Sequence, residues 1–184
     1  PFPPLMTGTT LSRERQDRQE MYLCLQLTAD TAAVIPMRAD RSERGSDSDY
    51  HVQEVLTLSI DRLTPLPGQP HWVMGLFNQR GRIFGAIDLA DFLELAPLTE
   101  EEQNPSCALV RVGRRAIGLS ARQVKGILRL NPDVQRSGMG ILSPSLKPYS
   151  PGYLSRSTDA GTTFAGDSFL VLDPIAIARA AIER

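Results

Sequence analysis

The chain has 184 residues, 41% of them hydrophobic and 22% charged, with a formal net charge of −1. That length can bury one sizeable core or two small ones. The near-neutral balance argues against a chain built mainly to cover nucleic acid or an anionic membrane, both of which call for a basic face. No apolar run approaches the roughly 20 residues that cross a bilayer, and the opening PFPPLMTGTT lacks the basic start and apolar centre of a secretion signal. The two cysteines, Cys24 and Cys107, lie far apart in apolar runs. Two buried, reduced thiols in a cytoplasmic protein are expected in preference to a disulfide.

Residues 1–20 open with prolines and end in a charged run, so a flexible tail is expected. Tyr22–Leu27 is the first strand, with Leu23, Leu25 and Leu27 on one face. Ala32–Met37 is the second, and Pro36 places it at a sheet edge or marks its end. Arg38–Tyr50 (RADRSERGSDSDY) is almost wholly polar and reads as a surface loop. Val52–Ile60 reads as a strand, and Leu63–Pro70, with three prolines, as a semi-rigid connector.

His71–Leu93 is the most patterned stretch: an apolar run to Phe77, the turn Asn78-Gln79-Arg80-Gly81, a second apolar run to Ile87, then Asp88 capping a short helix. Leu95–Ser106, with two prolines and three adjacent glutamates, reads as a joint. Strands are expected at Cys107–Val112, Ala116–Leu119, Gln123–Leu130, Gly152–Leu154 and Ser168–Leu172, with polar loops over Asn131–Pro151 and Ser155–Asp167. Asp173 then caps a last helix whose first residue is Pro174, where a missing N–H costs nothing.

The two halves echo each other. A glycine-led apolar pulse, an arginine-bearing loop, a second pulse and a helix-capping aspartate occur at Gly75–Asp88 and again at Gly152–Asp173. Each half also opens with a cysteine-bearing strand. The expectation is a mostly β chain with two similar subdomains, about 21–97 and about 106–184, within one unit from 21 to 184. Small barrels suit such short strands because closure removes exposed edges.

Chemistry-bearing constellations do not emerge. His51 and His71 have no second ligand at metal spacing. GxSxG, GxxxxGK[ST] and GxGxxG are all missing. The carboxylates around Asp47 and Asp49, and Glu100-Glu101-Glu102, read as solvated charge runs, because acid–base pairs need burial to separate their pKa values. Trp72 reads as core. No catalytic residue, metal or cofactor is expected.

The ordered motifs do, however, resemble the CheW family of adaptors in bacterial chemosensory arrays, over roughly Tyr22 to Ala181. Val52-Gln53-Glu54-Val55 resembles its V-Q-E-[IV] strand, and Pro65-Leu66-Pro67 to Gly75 its proline-rich approach. Asn78-Gln79-Arg80-Gly81 resembles its N-L-R-G turn, and Ile87-Asp88-Leu89 its I-D-L. Ala116-Ile117-Gly118-Leu119 and Phe169-Leu170-Val171-Leu172-Asp173 resemble the second-half signals. The resemblance implies two five-stranded SH3-like barrels, each followed by a short helix, packed around a shared core. It also implies a non-catalytic adaptor that joins the regulatory domain of a CheA-type histidine kinase to the cytoplasmic tip of a chemoreceptor, with no nucleic-acid partner and no membrane insertion.

Carried over by motif, the partner-binding residues would be Val52, Glu54, Gly75, Asn78, Arg80 and Gly81. The chain departs from the pattern at Gln79, where leucine is usual, and at Gly85, where proline is common. Ser120-Ala121-Arg122 replaces "V-V-D", and Arg38–Tyr50 looks like an insertion. The long loop after Leu154 and the alanine-rich end resemble cyanobacterial motility versions. Two other classes stay open: a different protein-interaction barrel, and a ligand-binding or enzymatic barrel, which a convergent buried His or carboxylate pair would mark. A nucleic-acid-binding barrel would interleave aromatics with basic residues on one face, whereas aromatics are only 6%.

Overall fold

The computed structural model of the chain describes residues 19–39, 49–132, 135–136, 142–156 and 168–183. Twelve strands and two helices are assigned among them: β1 (Glu20–Gln26), β2 (Ala32–Pro36), β3 (Arg38–Ala39), β4 (Tyr50–Thr57), β5 (Val73–Gln79), β6 (Arg82–Asp88), α1 (Leu89–Phe92), β7 (Ser106–Val112), β8 (Arg115–Ala121), β9 (Gln123–Leu130), β10 (Gln135–Arg136), β11 (Gly152–Ser155), β12 (Ser168–Val171) and α2 (Pro174–Glu183). They form two six-stranded sheets, ordered β3-β4-β7-β8-β6-β5 and β10-β11-β12-β2-β1-β9.

Side chains alternate across a strand, and here both faces are buried. From β1, Tyr22 and Cys24 enter one apolar cluster with Val34, Leu130, Leu154, Phe169 and Val171. Leu23 and Leu25 enter a larger one. From β7, Cys107 and Leu109 join Phe77, Phe84 and Ala86, while Ala108 and Val110 join the larger cluster. Each sheet thus curls around its own small core, and the largest core lies between the sheets. Continuous apolar runs such as Leu23–Leu25 and Ala108–Val110 are the sequence mark of strands covered on both faces.

Each sheet draws strands from both stretches of sequence. The hairpin β7–β8 lies beside β4, β6 and β5, and the hairpin β1–β2 lies beside β9, β12 and β11. The echo between the halves survives as an internal correspondence, β4-β7-β8-β6-β5 matching β9-β1-β2-β12-β11, with the hairpins exchanged. Gly75 on β5 and Gly152 on β11 even share a backbone angle, φ 135 and φ 137. In both sheets the joining pair is parallel, β6 with β8 and β12 with β2.

Several expectations need correcting. The five-stranded pattern implied for each barrel is present in both sheets, and the two-residue β3 and β10 add a sixth strand to each. Hydrogen bonding also leaves each sheet open in order, with β3 and β5 at opposite ends. Of the two readings of Pro36, the strand end is the one found: β2 stops there and is an inner strand, not an edge. The strand expected to reach Ile60 stops at Thr57: the Leu58 and Ile60 N–H groups turn to the Pro105 and Gln103 carbonyls, and Ile60–Arg62 forms a 3-10 turn. Glu20, expected in the tail, opens β1. Residues 1–18 of that tail, the loop over 40–48 and the loop over 157–167 lie outside the described residues. Among the described residues, no helix is long and apolar enough to cross a membrane.

Both expected caps form. Asp88 Oδ1 accepts from Asp91 N at 3.3 Å and Oδ2 from Leu98 N at 2.6 Å, tying α1 to the joint that follows. Burial pushes this carboxyl up, against the pull of those two N–H groups. Asp173 Oδ1 accepts from Ile175 N and Ala176 N. Trp72 is buried, edge-on to Phe92 at 4.9 Å, and Phe92 meets Tyr149 at 5.0 Å. Glu102 is not simply solvated, since it pairs with Arg122 at 2.7 Å.

Cys24 and Cys107 are free and buried. Burial pushes the Cys107 thiol up from 9.0 to about 12, opposed by the Ser120 hydroxyl. Burial, then the nearby Glu20 charge, pushes Tyr22 up from 10.0 to about 12. A raised pKa means that the fold prefers the protonated form, so this stability is complete below pH 9 and is lost as pH rises through about 12. Unfolding titrations between these limits should show falling stability, with a shallower decline in Cys107→Ala. Ellman's reagent should leave the native protein unmodified near neutral pH and react with both thiols once it is denatured.

Candidate functional site

The corner of interest begins with the turn between β5 and β6. Gln79 and Arg82 face each other across the ladder, so Arg80 and Gly81 are the two central residues. Both have positive φ, 52 and 79, the form of two-residue turn whose twist matches a hairpin. Glycine takes that conformation freely; arginine does so at a cost of about 1–2 kcal/mol. The turn is held from within and from one side. Asn78 Oδ1 accepts from Gly81 N at 3.0 Å. Arg62 donates to the Asn78 carbonyl at 2.6 Å and to Gln79 Oε1 at 3.3 Å.

Glu54 reaches the same corner from β4, which is four places from β5 in the strand order. Its Oε1 accepts from Gln79 Nε2 at 3.0 Å and Arg80 Nη2 at 3.2 Å. The two sides of the sheet therefore meet through side chains, and the sheet is bent into a barrel around Phe77, Phe84, Cys107 and Leu109. A bulge sends Glu54 there. Val52 pairs with Val110 but Glu54 with Leu109, so Gln53 is an extra residue on β4. One extra residue reverses which side chains face in. Tyr50 and Val52 pack on the core between the sheets, whereas Leu56 and Leu58, on Glu54's side of the bulge, pack in the barrel.

The six residues matched by motif thus separate. Glu54, Asn78, Arg80 and Gly81 converge at the corner. Val52 turns away into the inter-sheet core. Gly75 is buried, with the Thr64–Pro65 backbone lying against it: an added Cβ would stand 2.5 Å from the Thr64 carbonyl oxygen. Thr64 and Leu76 exchange backbone hydrogen bonds at 2.7 and 2.8 Å, so Gly75 is where the proline-rich connector crosses the barrel. Gln79 and Arg62 also belong to the corner, although no motif pointed to them. Gln79 could have been suspected from its place in the turn, because the usual leucine has no side-chain N–H to give Glu54. Arg62 carries no comparable signal.

Among the described residues, the other polar groups do not assemble into a reactive centre. His71 Nδ1 lies 2.7 Å from Asp91 Oδ2 with its ring largely exposed. Among the described residues, no three His, Cys, Asp or Glu side chains cluster as metal ligands.

Two glycine variants separate architecture from surface. Gly75→Ala meets backbone at positive φ and should cost more than about 2 kcal/mol. Gly81→Ala has nothing within 4 Å of the new methyl and should cost about 1 kcal/mol, from φ alone. Urea unfolding of both variants checks the order.

A family model described as the CheW-like domain matches residues 50–181. The chain is 30% identical over 120 residues to protein PilI of Pseudomonas aeruginosa, covering 64% of this chain and 61% of that protein. It is 32% identical over 68 residues to the chemotaxis protein CheW of Thermotoga maritima, covering 37% of this chain and 44% of that one. The chain therefore spans less than two thirds of either relative. Its fold is similar to the crystal structure of the scaffolding protein TtCheW from Thermoanaerobacter tengcongensis, with a TM-score of 0.61, 14% identity, and coverage of 84% of this chain and 89% of that one.

Proposed function

The chain belongs to the CheW-like family, and from that premise we propose that it is a non-catalytic cytoplasmic adaptor. It joins the regulatory domain of a CheA-type histidine kinase to the cytoplasmic tip of a methyl-accepting chemoreceptor, in chemotaxis, phototaxis or pilus-motility signalling. One observation carries the assignment of the contact: Arg80 is held in a strained backbone conformation at the Glu54 corner, yet 80% of its side chain is exposed. Strain kept at a surface turn points to use. A guanidinium paired on one side still has donors to offer carboxylates or carbonyls of a partner. Asn78 and Gly81 shape the turn, and Glu54 and Gln79 orient it, while Gly75 seats the connector against β5 and Val52 packs in the inter-sheet core.

Arg80→Ala removes an exposed ion pair, worth little by itself, and relieves no clash. Its stability should stay within about 0.5 kcal/mol of the parent. Affinity for the kinase domain or the receptor tip should fall by about 1–3 kcal/mol, and Arg80→Glu should lose more. Thermal melting and calorimetric titration against each partner test this. Unchanged affinity for both in Arg80→Glu would remove Arg80 from the contact, and failure of the parent to bind either would end the adaptor reading.

A further inference from the structure

One end of the sheet β3-β4-β7-β8-β6-β5 gathers cations. Arg114 is in the β7–β8 turn, Arg115 opens β8, and Arg111 is next to the last residue of β7. Arg80 and Arg82 are at the β5–β6 turn. The parallel register that sets Ala86 beside Gly118 brings these two turns to the same end. Arg38 on β3 faces His51, which in turn faces Arg111. The carboxylates of Asp49 and Glu54 face these six guanidinium groups, and Arg62 also reaches the β5–β6 turn. Among the described residues, only Arg80 of the six is in an ion pair, with Glu54; Arg111 bonds the Arg114 carbonyl. All but Arg111 are exposed. In a chain of net charge −1 this is a local field, not a general one.

Next to Arg82, Ile83 is 63% exposed, the most open large apolar side chain among the described residues. Exposed arginines at the same end of the sheet as one open aliphatic side chain have the composition of a protein contact, apolar and cationic together. The planar guanidinium fork suits carboxylates. Among the described residues, none of the exposed large apolar side chains is aromatic, so these offer bases nothing to stack on. A single isoleucine is also far from the broad apolar face that holds an interfacial segment in lipid.

We propose that this end of the sheet binds a carboxylate-rich segment of a protein partner, with an apolar residue of that segment seated on Ile83. The partner would be the kinase or receptor of the adaptor reading, and to that extent the proposal rests on it. The binding chemistry itself does not.

The test uses the full chain and poly-L-glutamate as probe, with phosphatidylserine vesicles and a DNA duplex in parallel. Binding to polyglutamate should be lost between about 50 mM and about 500 mM salt, as screening requires. It should weaken at least about tenfold in R114E/R115E and stay unchanged in K125E/R129E, which alters exposed cations of β9 in the other sheet. Ile83→Ser should leave polyglutamate binding intact and weaken binding to the kinase domain or receptor tip. Circular dichroism confirms that each variant is folded. Equal losses in the two double variants, no polyglutamate binding by the parent, or tighter binding to vesicles or duplex would overturn the proposal. If the arginine variant loses polyglutamate binding but the parent binds neither kinase nor receptor, the surface stands and the adaptor reading fails.

Discussion

The apolar contact between the two sheets is the constraint on which the rest of the structure depends. Leu23, Leu25, Ala33, Ile35, Leu170 and Leu172 from one sheet meet Tyr50, Ile87, Ala108, Val110, Leu119 and Ala121 from the other. Each buried leucine, isoleucine or valine among them contributes about 1.5–3 kcal/mol. Neither barrel core, with its few residues, offers as much. A strand that must feed both a barrel core and this contact has no polar face to spare. Polar residues are accordingly pushed to turns, strand ends and the bulged strands β4 and β9, which alternate exposed with half-buried positions.

The exchanged hairpins follow from the same constraint. With β1–β2 in one sheet and β7–β8 in the other, the chain crosses between the sheets at β2–β3 and again at β8–β9. The second crossing is pinned where Arg122 donates its backbone N–H to Gln26 O and its side chain pairs with Glu102. Neither sheet is then complete without strands from the other stretch of chain. The arrangement couples the two sheets, and the Glu54 corner with them, into one mechanical unit. The corner itself needs the bulge at Gln53: without that residue, Glu54 would face the other side of the sheet and Arg80 would lose its partner.

Much of this was legible in the residues. The alternation and the apolar runs marked nearly every long strand, β9 to the residue. Asp88 and Asp173 were visible as caps because an aspartate before an apolar helical turn has one obvious task. Arg80-Gly81 was visible as a tight turn. What stayed hidden were pairings between distant segments. No local pattern says that β7 pairs with β4 rather than with β9, that Glu54 meets Gln79 across the barrel mouth, or that Glu102 is held by Arg122.

The sequence by itself determined element type, caps, buried thiols and the motif set that places the chain in its family, because these depend on period, composition and neighbours within a few residues. Only the tertiary structure decided which strands share a sheet, which of the motif-matched residues face outward and where the arginines collect. Val52 and Glu54 differ by two positions and would share a face on a regular strand. The extra residue at Gln53 sends one into the core and the other to the corner. Gly75 looks like part of a contact surface until the Thr64 carbonyl is found 2.5 Å from where its Cβ would be. Such choices are settled by steric fit and by hydrogen bonds between segments far apart in the chain, and a one-dimensional pattern does not carry that information.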